Sequence, residues 1–199
     1  MEKQQNQFDE TFDVLVVGSG CGGLTAALTA DIASPSKVLV VEKSHLIGGT
    51  SATSGGVIWI PDNHLAKEKG ANDSISEAKE YLKATIPADE FNEPLIDAYL
   101  DQGPKMVKFM EENTDAKYTS LEHYPDYFQD APGVKLGNRA LEPLPVSAVT
   151  LEDDVDNLHP SGPQTIVFGR YCVNFEESHA FTTQSPGWFR LFSKIFFVN

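Results

Sequence analysis

The chain has 199 residues, of which 29 are acidic and 15 are lysine or arginine, so its formal net charge is −14. An acidic surface of this kind repels nucleic acid and anionic membranes, and we expect neither as a partner. The two cysteines are too few for a disulfide framework, the first ten residues lack the apolar stretch of a signal peptide, and no apolar run could span a bilayer. These features predict a cytoplasmic protein without a transmembrane segment.

The first predicted elements are a strand, a helix and a second strand. Residues 12–17 are apolar except for Asp13 and rich in valine, which is typical of a buried parallel strand. Leu24, Leu28 and Ile32 recur at helical spacing, and the segment 34–36 (Ser-Pro-Ser) ends that helix. Residues 38–41 form a second apolar run, directly before Glu42. This order predicts a βαβ unit.

The turn between the first strand and the helix carries the pattern G-x-G-x-x-G at Gly18, Gly20 and Gly23. In a βαβ unit, the first glycine makes a tight turn, the second lets the backbone approach a pyrophosphate, and the third lets the helix pack closely on the strand. The pyrophosphate then lies at the helix N-terminus, where free N–H groups favour an anion. Glu42 can accept a hydrogen bond from a ribose hydroxyl and repels a 2′-phosphate, so the motif predicts NAD or FAD as the ligand.

A second glycine-rich segment, residues 48–56, begins six residues after Glu42. It is rich in hydroxyl groups and backbone N–H donors and has few side chains that could block a ligand. Such a segment can lie against a pyrophosphate, a ribityl chain or the edge of an isoalloxazine ring. An NAD domain would normally continue straight into its next crossover helix. The segment therefore favours FAD, with an ordinary flexible loop as the alternative.

Three further helices are predicted in the middle of the chain. Ser74 and Glu77 have the spacing of a capping box, and the apolar pattern behind them ends at Pro87. Segments 94–102 and 104–113 each begin with a proline, which suits the first turn of a helix, and Gly103 separates them. We interpret these helices as scaffold.

Residues 118–163 have a different character, because their six prolines exclude long helices and central strands. The acidic residues Glu152, Asp153, Asp154 and Asp156 cluster within this stretch. No histidine or further ligand is spaced to complete a metal site there. The cluster therefore predicts a solvated loop, and the sequence predicts no metal.

The chain resembles the FAD-dependent fumarate reductase/succinate dehydrogenase flavoprotein superfamily in residues 12–20, 40–43 and 48–56. Within that superfamily it is most similar to the 3-ketosteroid Δ1-dehydrogenase branch, through Trp59 and Pro61 behind the second glycine segment. Further segments similar to that branch are residues 124–128, 137–139, 142–143, 168–170 and 175–179.

The resemblance implies an α/β fold: a Rossmann-like FAD-binding domain of the GR2 type, incomplete, with a loop-rich C-terminal part. Members of the family are much longer, so residues 12–199 are expected to be the N-terminal portion of that domain, without most of the substrate domain, behind a polar tail at residues 1–11. We expect little or no turnover from these residues alone. Together, the motifs and the resemblance place the cofactor-binding residues at Gly18, Ser19, Gly20, Gly22, Gly23, Glu42, Lys43, Gly49, Thr50, Ser51, Ser54, Gly55 and Gly56.

The activity that the resemblance implies is the 1(2)-dehydrogenation of a 3-ketosteroid. In the family, the C1 hydrogen leaves as hydride to flavin N5 and a C2 proton passes to a tyrosine, while the C3 carbonyl is polarised by a hydroxyl and an N–H group. The resemblance places the tyrosine that takes the C2 proton and the group that polarises the carbonyl beyond residue 199. Another family tyrosine falls in residues 124–128; it matches either Tyr127, our candidate catalytic residue, or position 128, where Phe128 has no hydroxyl. The implied partners are an apolar, steroid-like substrate and an artificial or quinone-type electron acceptor.

Two alternatives stay open. A fumarate reductase-like flavoprotein acting on another activated C=C bond would use arginines to clamp carboxylates, and the chain has only Arg139, Arg170 and Arg190. A truncated, non-catalytic nucleotide-binding module would bind the ADP moiety without dehydrogenase activity. The aromatic residues Trp59, Tyr127 and Phe128 favour an apolar substrate over the first alternative.

Overall fold

The computed structural model describes residues 10–162, 166–167, 171–184, 188–189 and 193. Within them the chain forms two compact units, one drawn from Met1–Ser54 and Leu151–Gly162 and the other from Gly55–Thr150 and Pro163–Asn199. Residues 1–9 of the predicted polar tail and the motif at residues 168–170 lie outside the described residues. No helix in the described ranges is both long and apolar enough to cross a membrane.

The first unit contains the predicted βαβ arrangement, which is confirmed. Strand β1 (Val14–Val17) leads through the glycine turn into helix α1 (Cys21–Ala33), and strand β2 (Val38–Val41) returns parallel to β1. The register pairs Val14 with Val38 and Val17 with Val41. A short helix, α2 (Gly49–Thr53), lies in the second glycine segment.

The apolar run of β1 is not buried on both faces, so that part of the prediction is wrong. Leu15 is 61% exposed and Val17 is 80% exposed, because in the described structure α1 packs on one face of this two-stranded sheet. The stripe of Leu24, Leu28 and Ile32 also remains partly exposed. The face of α1 against the strand is formed by small residues, Gly23 and the buried Ala27, which allow a closer approach than leucine would.

The second unit places helices around a three-stranded antiparallel sheet with the order β3-β5-β4. Its core contains Ile60, Val107 and Leu141, which are buried. The elements of this unit are β3 (Ile58–Trp59), α3 (His64–Glu68), α4 (Ile75–Thr85), α5 (Glu93–Asn113), β4 (Tyr118–Ser120), β5 (Ala140–Pro143), β6 (Ile166–Val167), β7 (Tyr171–Cys172) and α6 (Phe175–Thr183).

The helix predicted behind Ser74 is confirmed as α4, with the Ser74 hydroxyl accepting the N–H of Glu77. The prediction of two helices separated by Gly103 is wrong, because α5 continues through Gly103 and Pro104. A Cβ on Gly103 would lie 3.3 Å from Ile60 Cδ1. Gly103 therefore allows a close approach of α5 to the core and does not end the helix.

The prediction that prolines exclude central strands is also wrong at one position. Pro143 is the last residue of β5, the middle strand of the sheet. A proline at the end of a strand removes fewer ladder hydrogen bonds than one in its interior, so the strand forms. The acidic cluster lies in a 3₁₀ helix (Ala148–Asn157), where Asp154 and Asp156 are exposed.

Candidate functional site

Two glycines of the G-x-G-x-x-G turn are required by the fold itself. Gly18 has φ of +99°, a left-handed conformation that other residues adopt only with strain. A Cβ on Gly23 would lie 2.0 Å from the carbonyl oxygen of Gly18, so any side chain there would push α1 away from the turn. These two positions set the geometry with which the strand enters the helix.

The fold does not require glycine at the other two positions of the turn. A Cβ on Gly20 would meet only the hydroxyl of Ser51, at 3.6 Å, and a Cβ on Gly22 would meet nothing within 4 Å. Gly20 is the N-cap of α1, so its bare backbone lies where the N–H groups of the first turn are directed outward. A surface left bare at a helix N-terminus fits the pyrophosphate of a dinucleotide such as FAD.

Glu42, at the end of β2, is held by the turn itself. One carboxylate oxygen accepts hydrogen bonds from the hydroxyl of Ser19 at 2.7 Å and from its N–H at 3.0 Å, and the other accepts the N–H of Ser44 at 3.0 Å. The Ser19 hydroxyl and these N–H groups lower the pKa of Glu42 to about 2. Glu42 is therefore ionised throughout the physiological range, which disfavours a 2′-phosphate beside it. A carboxylate has further lone pairs, so a ribose hydroxyl can still donate to it.

The second glycine segment meets the turn through a hydroxyl. Ser51 Oγ, in α2, accepts the N–H of Cys21, the first residue of α1, at 3.0 Å. Gly49, Thr50 and Ser54 lie in the same unit, and Lys43 is exposed in the loop before them. The predicted residues Gly55 and Gly56 belong to the second unit, where a Cβ on Gly56 would lie 2.8 Å from Pro143. The roles of all these residues toward a cofactor stay predictions.

A cleft of about 240 Å³ opens in the second unit. Trp59 and Tyr127 lie in its wall, as expected for an apolar ligand site, whereas Phe128 is not among its lining residues. Tyr127 as a residue is 80% exposed. Its hydroxyl oxygen lies 3.2 Å from the hydroxyl oxygen of Tyr124. The hydrogen bond with Tyr127, with some burial, raises the pKa of Tyr124. The full lining is Val57, Trp59, Tyr81, Leu82, Tyr124, Pro125, Asp126, Tyr127 and Ala140.

Behind this wall lies an ionic cluster that the sequence analysis missed. Arg139 is 1% exposed and donates to Asp73 and Asp126, each at 2.8 Å. Asp126 also accepts the indole N–H of Trp59 at 2.7 Å, and the guanidinium lies 5.5 Å from the Trp59 ring centroid. Asp73 precedes Arg139 by 66 residues, so no spacing rule could have paired them. The cluster fixes the orientation of the Trp59 ring in the cleft.

Glu142, on β5 two residues after the cleft residue Ala140, is a second buried acid. One carboxylate oxygen accepts the N–H of Phe175 at 2.6 Å, and the other is buried with no partner among the described residues. Burial raises the pKa of Glu142, and the neighbouring Glu176 and Glu177 raise it further, against the Phe175 hydrogen bond. A carboxyl group in this setting favours its protonated form.

We expect Glu142→Gln to stabilise the chain at pH 8 but not at pH 4.5. Because the folded pKa is raised, the stability that Glu142 contributes is fully present below its unfolded pKa and is lost as pH rises through the folded pKa. Glutamine carries no charge, so the variant escapes that loss. Urea unfolding at both pH values measures the difference, with Glu80→Gln at an exposed position as the matched control. A pH-independent difference between Glu142→Gln and the original chain would contradict the expectation.

Comparison with known proteins places this geometry in context. The sequence pattern of the FAD binding domain family matches residues 13–149. A 3-oxosteroid 1-dehydrogenase of Mycobacterium tuberculosis (strain ATCC 25618 / H37Rv) is 43% identical over 153 residues, which are 76% of this chain and 27% of the relative. A 4-oxocyclohexanecarboxylate 2-dehydrogenase of Sinomonas cyclohexanicum is 41% identical over 173 residues, 86% of this chain and 29% of the relative.

A solved structure is similar over nearly the whole chain. The crystal structure of 3-ketosteroid delta1-dehydrogenase from Sterolibacterium denitrificans, in complex with 1,4-androstadiene-3,17-dione, superposes with a TM-score of 0.84 at 39% identity. The match covers 92% of this chain and 32% of that protein. The chain therefore spans between a quarter and a third of the length of the relatives it matches.

Proposed function

We propose that this chain, which belongs to the FAD binding domain family, is the FAD-binding part of a dehydrogenase that removes hydrogen from the carbon–carbon bond beside a ring ketone, with a 3-ketosteroid as substrate. FAD, when bound, supplies the hydride acceptor for that reaction. The observation that carries the proposal is the turn whose Gly20 and Gly22 are bare although the fold does not require it. The relatives named for 3-oxosteroid dehydrogenation support the choice of reaction.

In the first unit, the residues of this chain hold the dinucleotide. The N-terminal turn of α1 binds the pyrophosphate, and the ionised Glu42 accepts a ribose hydroxyl. Ser51 has its Oγ oriented by the N–H of Cys21, which leaves the hydroxyl proton free to donate to the cofactor. These roles select an adenine dinucleotide without a 2′-phosphate.

In the second unit, the cleft between Trp59 and Tyr127 receives an apolar ring. The described residues that line it include no lysine or arginine and one carboxylate, Asp126, which accepts a hydrogen bond from Arg139. Tyr127 stands at the cleft as a hydroxyl that can contact a polar substituent of the ring. A quinone-type acceptor would take the electrons onward.

The same cleft is less suited to two substrates that carry carboxylates, the dicarboxylate of a fumarate reductase-like enzyme and 4-oxocyclohexanecarboxylate. Arg139 is buried between two aspartates and cannot clamp a dicarboxylate, as a fumarate reductase-like enzyme would require. Arg170 and Arg190 lie outside the described residues. A 4-oxocyclohexanecarboxylate carries a negative charge, and the cleft offers no cation to it among the described lining residues. Its dehydrogenase is nevertheless 41% identical to this chain, so it is kept as a second candidate substrate.

Two titrations test the proposal, first with FAD and then with the ring ketones. Binding of FAD to the purified chain should be seen in the flavin absorbance and fluorescence. In a Trp188→Phe background, the fluorescence of Trp59 should then be quenched by a 3-ketosteroid that is saturated at C1–C2 and not by 4-oxocyclohexanecarboxylate. The reverse preference would favour the second candidate. FAD binding with neither ketone would indicate a nucleotide-binding module, and no FAD binding would contradict the proposal.

A further inference from the structure

We propose that Ser19 is a positioning residue of the FAD site, whose hydroxyl fixes the second glycine segment against the first and does not itself bind the cofactor. The inference rests on the proposed binding of FAD to this unit. It changes the role that the sequence suggests for Ser19, which lies inside the G-x-G-x-x-G turn among residues expected to contact the ligand.

The hydroxyl of Ser19 is fully used inside the protein. Ser19 is 2% exposed. Its Oγ donates to Glu42 at 2.7 Å and accepts the N–H of Gly48 at 2.9 Å. A serine hydroxyl has a single proton, and here Glu42 takes it. Ser19 Oγ therefore has no proton left for a phosphate or ribose oxygen.

The partner of Ser19 in the second segment is the residue where that segment turns into α2. Gly48 is buried, has φ of +100°, and is the N-cap of α2. A Cβ at this position would lie 2.7 Å from that of Ala52 and 3.3 Å from Leu158. The backbone is thus confined on several sides, and its N–H donates to Ser19 Oγ. A buried N–H without an acceptor is costly, so the bond fixes where the segment begins.

Ser51 links the two glycine segments in the opposite direction. Comparing Ser51 with Ser19 shows which of the two hydroxyls can bind the ligand. Ser51 Oγ accepts the N–H of Cys21 at 3.0 Å. Each glycine segment therefore has one serine hydroxyl that accepts a backbone N–H of the other segment. Ser51 is only partly buried and still has its proton to donate, whereas Ser19 is buried and has none. Ser19 consequently determines the position from which Gly49, Thr50 and Ser51 meet the cofactor.

The test compares Ser19→Ala with Ser44→Ala, which removes an exposed hydroxyl from the loop between Glu42 and Gly48. Two quantities are measured: the FAD dissociation constant by flavin fluorescence, and amide hydrogen exchange of Gly48 by NMR in the FAD-free chain. Ser19→Ala should weaken FAD binding by roughly tenfold to a hundredfold and accelerate exchange at Gly48. Ser44→Ala should change neither quantity. If Ser19→Ala does not fold, Ser19→Cys keeps the size of the side chain with a weaker hydrogen bond and should show both effects in smaller measure.

Two results would overturn the inference. Weaker FAD binding with unchanged exchange at Gly48 would mean that Ser19 acts by direct contact with the cofactor or through Glu42, to which its hydroxyl donates, and not through the second segment. Unchanged values of both would mean that Ser19 positions nothing. Failure of the unsubstituted chain to bind FAD would instead contradict the proposed function, and the exchange at Gly48 would still report whether Ser19 holds the second segment.

Discussion

Gly20→Val is expected to weaken FAD binding by at least about a hundredfold while the chain still folds. In the free protein a Cβ at this position meets only Ser51 Oγ, at the ordinary contact distance of 3.6 Å. Gly20 has extended backbone angles, which valine adopts readily. The added methyl groups therefore occupy space that the fold leaves open and that a pyrophosphate needs. Titration with FAD, followed by flavin fluorescence, measures the loss.

Gly23→Ala provides the opposite outcome in the same turn. Its Cβ would lie 2.0 Å from the Gly18 carbonyl oxygen, so we expect a loss of stability and not only of binding. Thermal unfolding distinguishes the two variants, because the Tm of Gly20→Val should stay close to that of the original chain and the Tm of Gly23→Ala should fall. Ala26→Val, on the exposed side of α1, controls for a larger side chain on this helix. Normal FAD affinity in a folded Gly20→Val chain would show that the dinucleotide does not approach this turn.

The first unit could be predicted from sequence because its determinants are local. The G-x-G-x-x-G turn, the two valine-rich runs and Glu42 lie within 31 residues, and β1, α1 and β2 form where those features predict them. Ser74 likewise predicts the start of α4, because its partner Glu77 lies only three residues later. In each case the chemistry that decides the structure lies between near neighbours along the chain.

Long-range contacts decided the elements that were predicted wrongly. Gly103 and Pro104 are ordinary helix breakers, yet α5 continues because Gly103 lets the helix approach Ile60, which lies 43 residues earlier. The stripe of Leu24, Leu28 and Ile32 lies on a helix as predicted but stays partly exposed, whereas Ala27 on the same helix is buried. The ion pairs of Arg139 with Asp73 and Asp126 join three segments of the chain that are distant in sequence. They are seen only once the folded structure shows these side chains buried together.

Arg139→Met is expected to destabilise the second unit by about 3–5 kcal/mol at pH 7, since it leaves Asp73 and Asp126 buried without their cation. The same substitution should also disturb the wall of the cleft. Asp126 orients Trp59 through the indole N–H, so the quenching of Trp59 by a steroid should be lost even where the variant is folded. Lys135→Met is the control, because its ion pair with Glu77 is partly exposed and should contribute far less to stability. Urea unfolding of both variants measures the difference.

In the original chain and in Arg139→Met, the contribution of Asp73 to the free energy of unfolding should change with pH in opposite directions. Burial raises the pKa of Asp73, but the hydrogen bonds and charge of Arg139, with the N–H groups of Asp62 and Ser74, outweigh it and hold the pKa below its usual value. The original chain therefore has this contribution above the unfolded pKa and loses it as pH falls through the folded pKa. Without Arg139, burial dominates, the folded pKa rises, and acid relieves the unpaired charge. The stability gap between the chains should narrow from pH 7 toward pH 4, and a constant gap would show that Arg139 acts through packing and not through its charge.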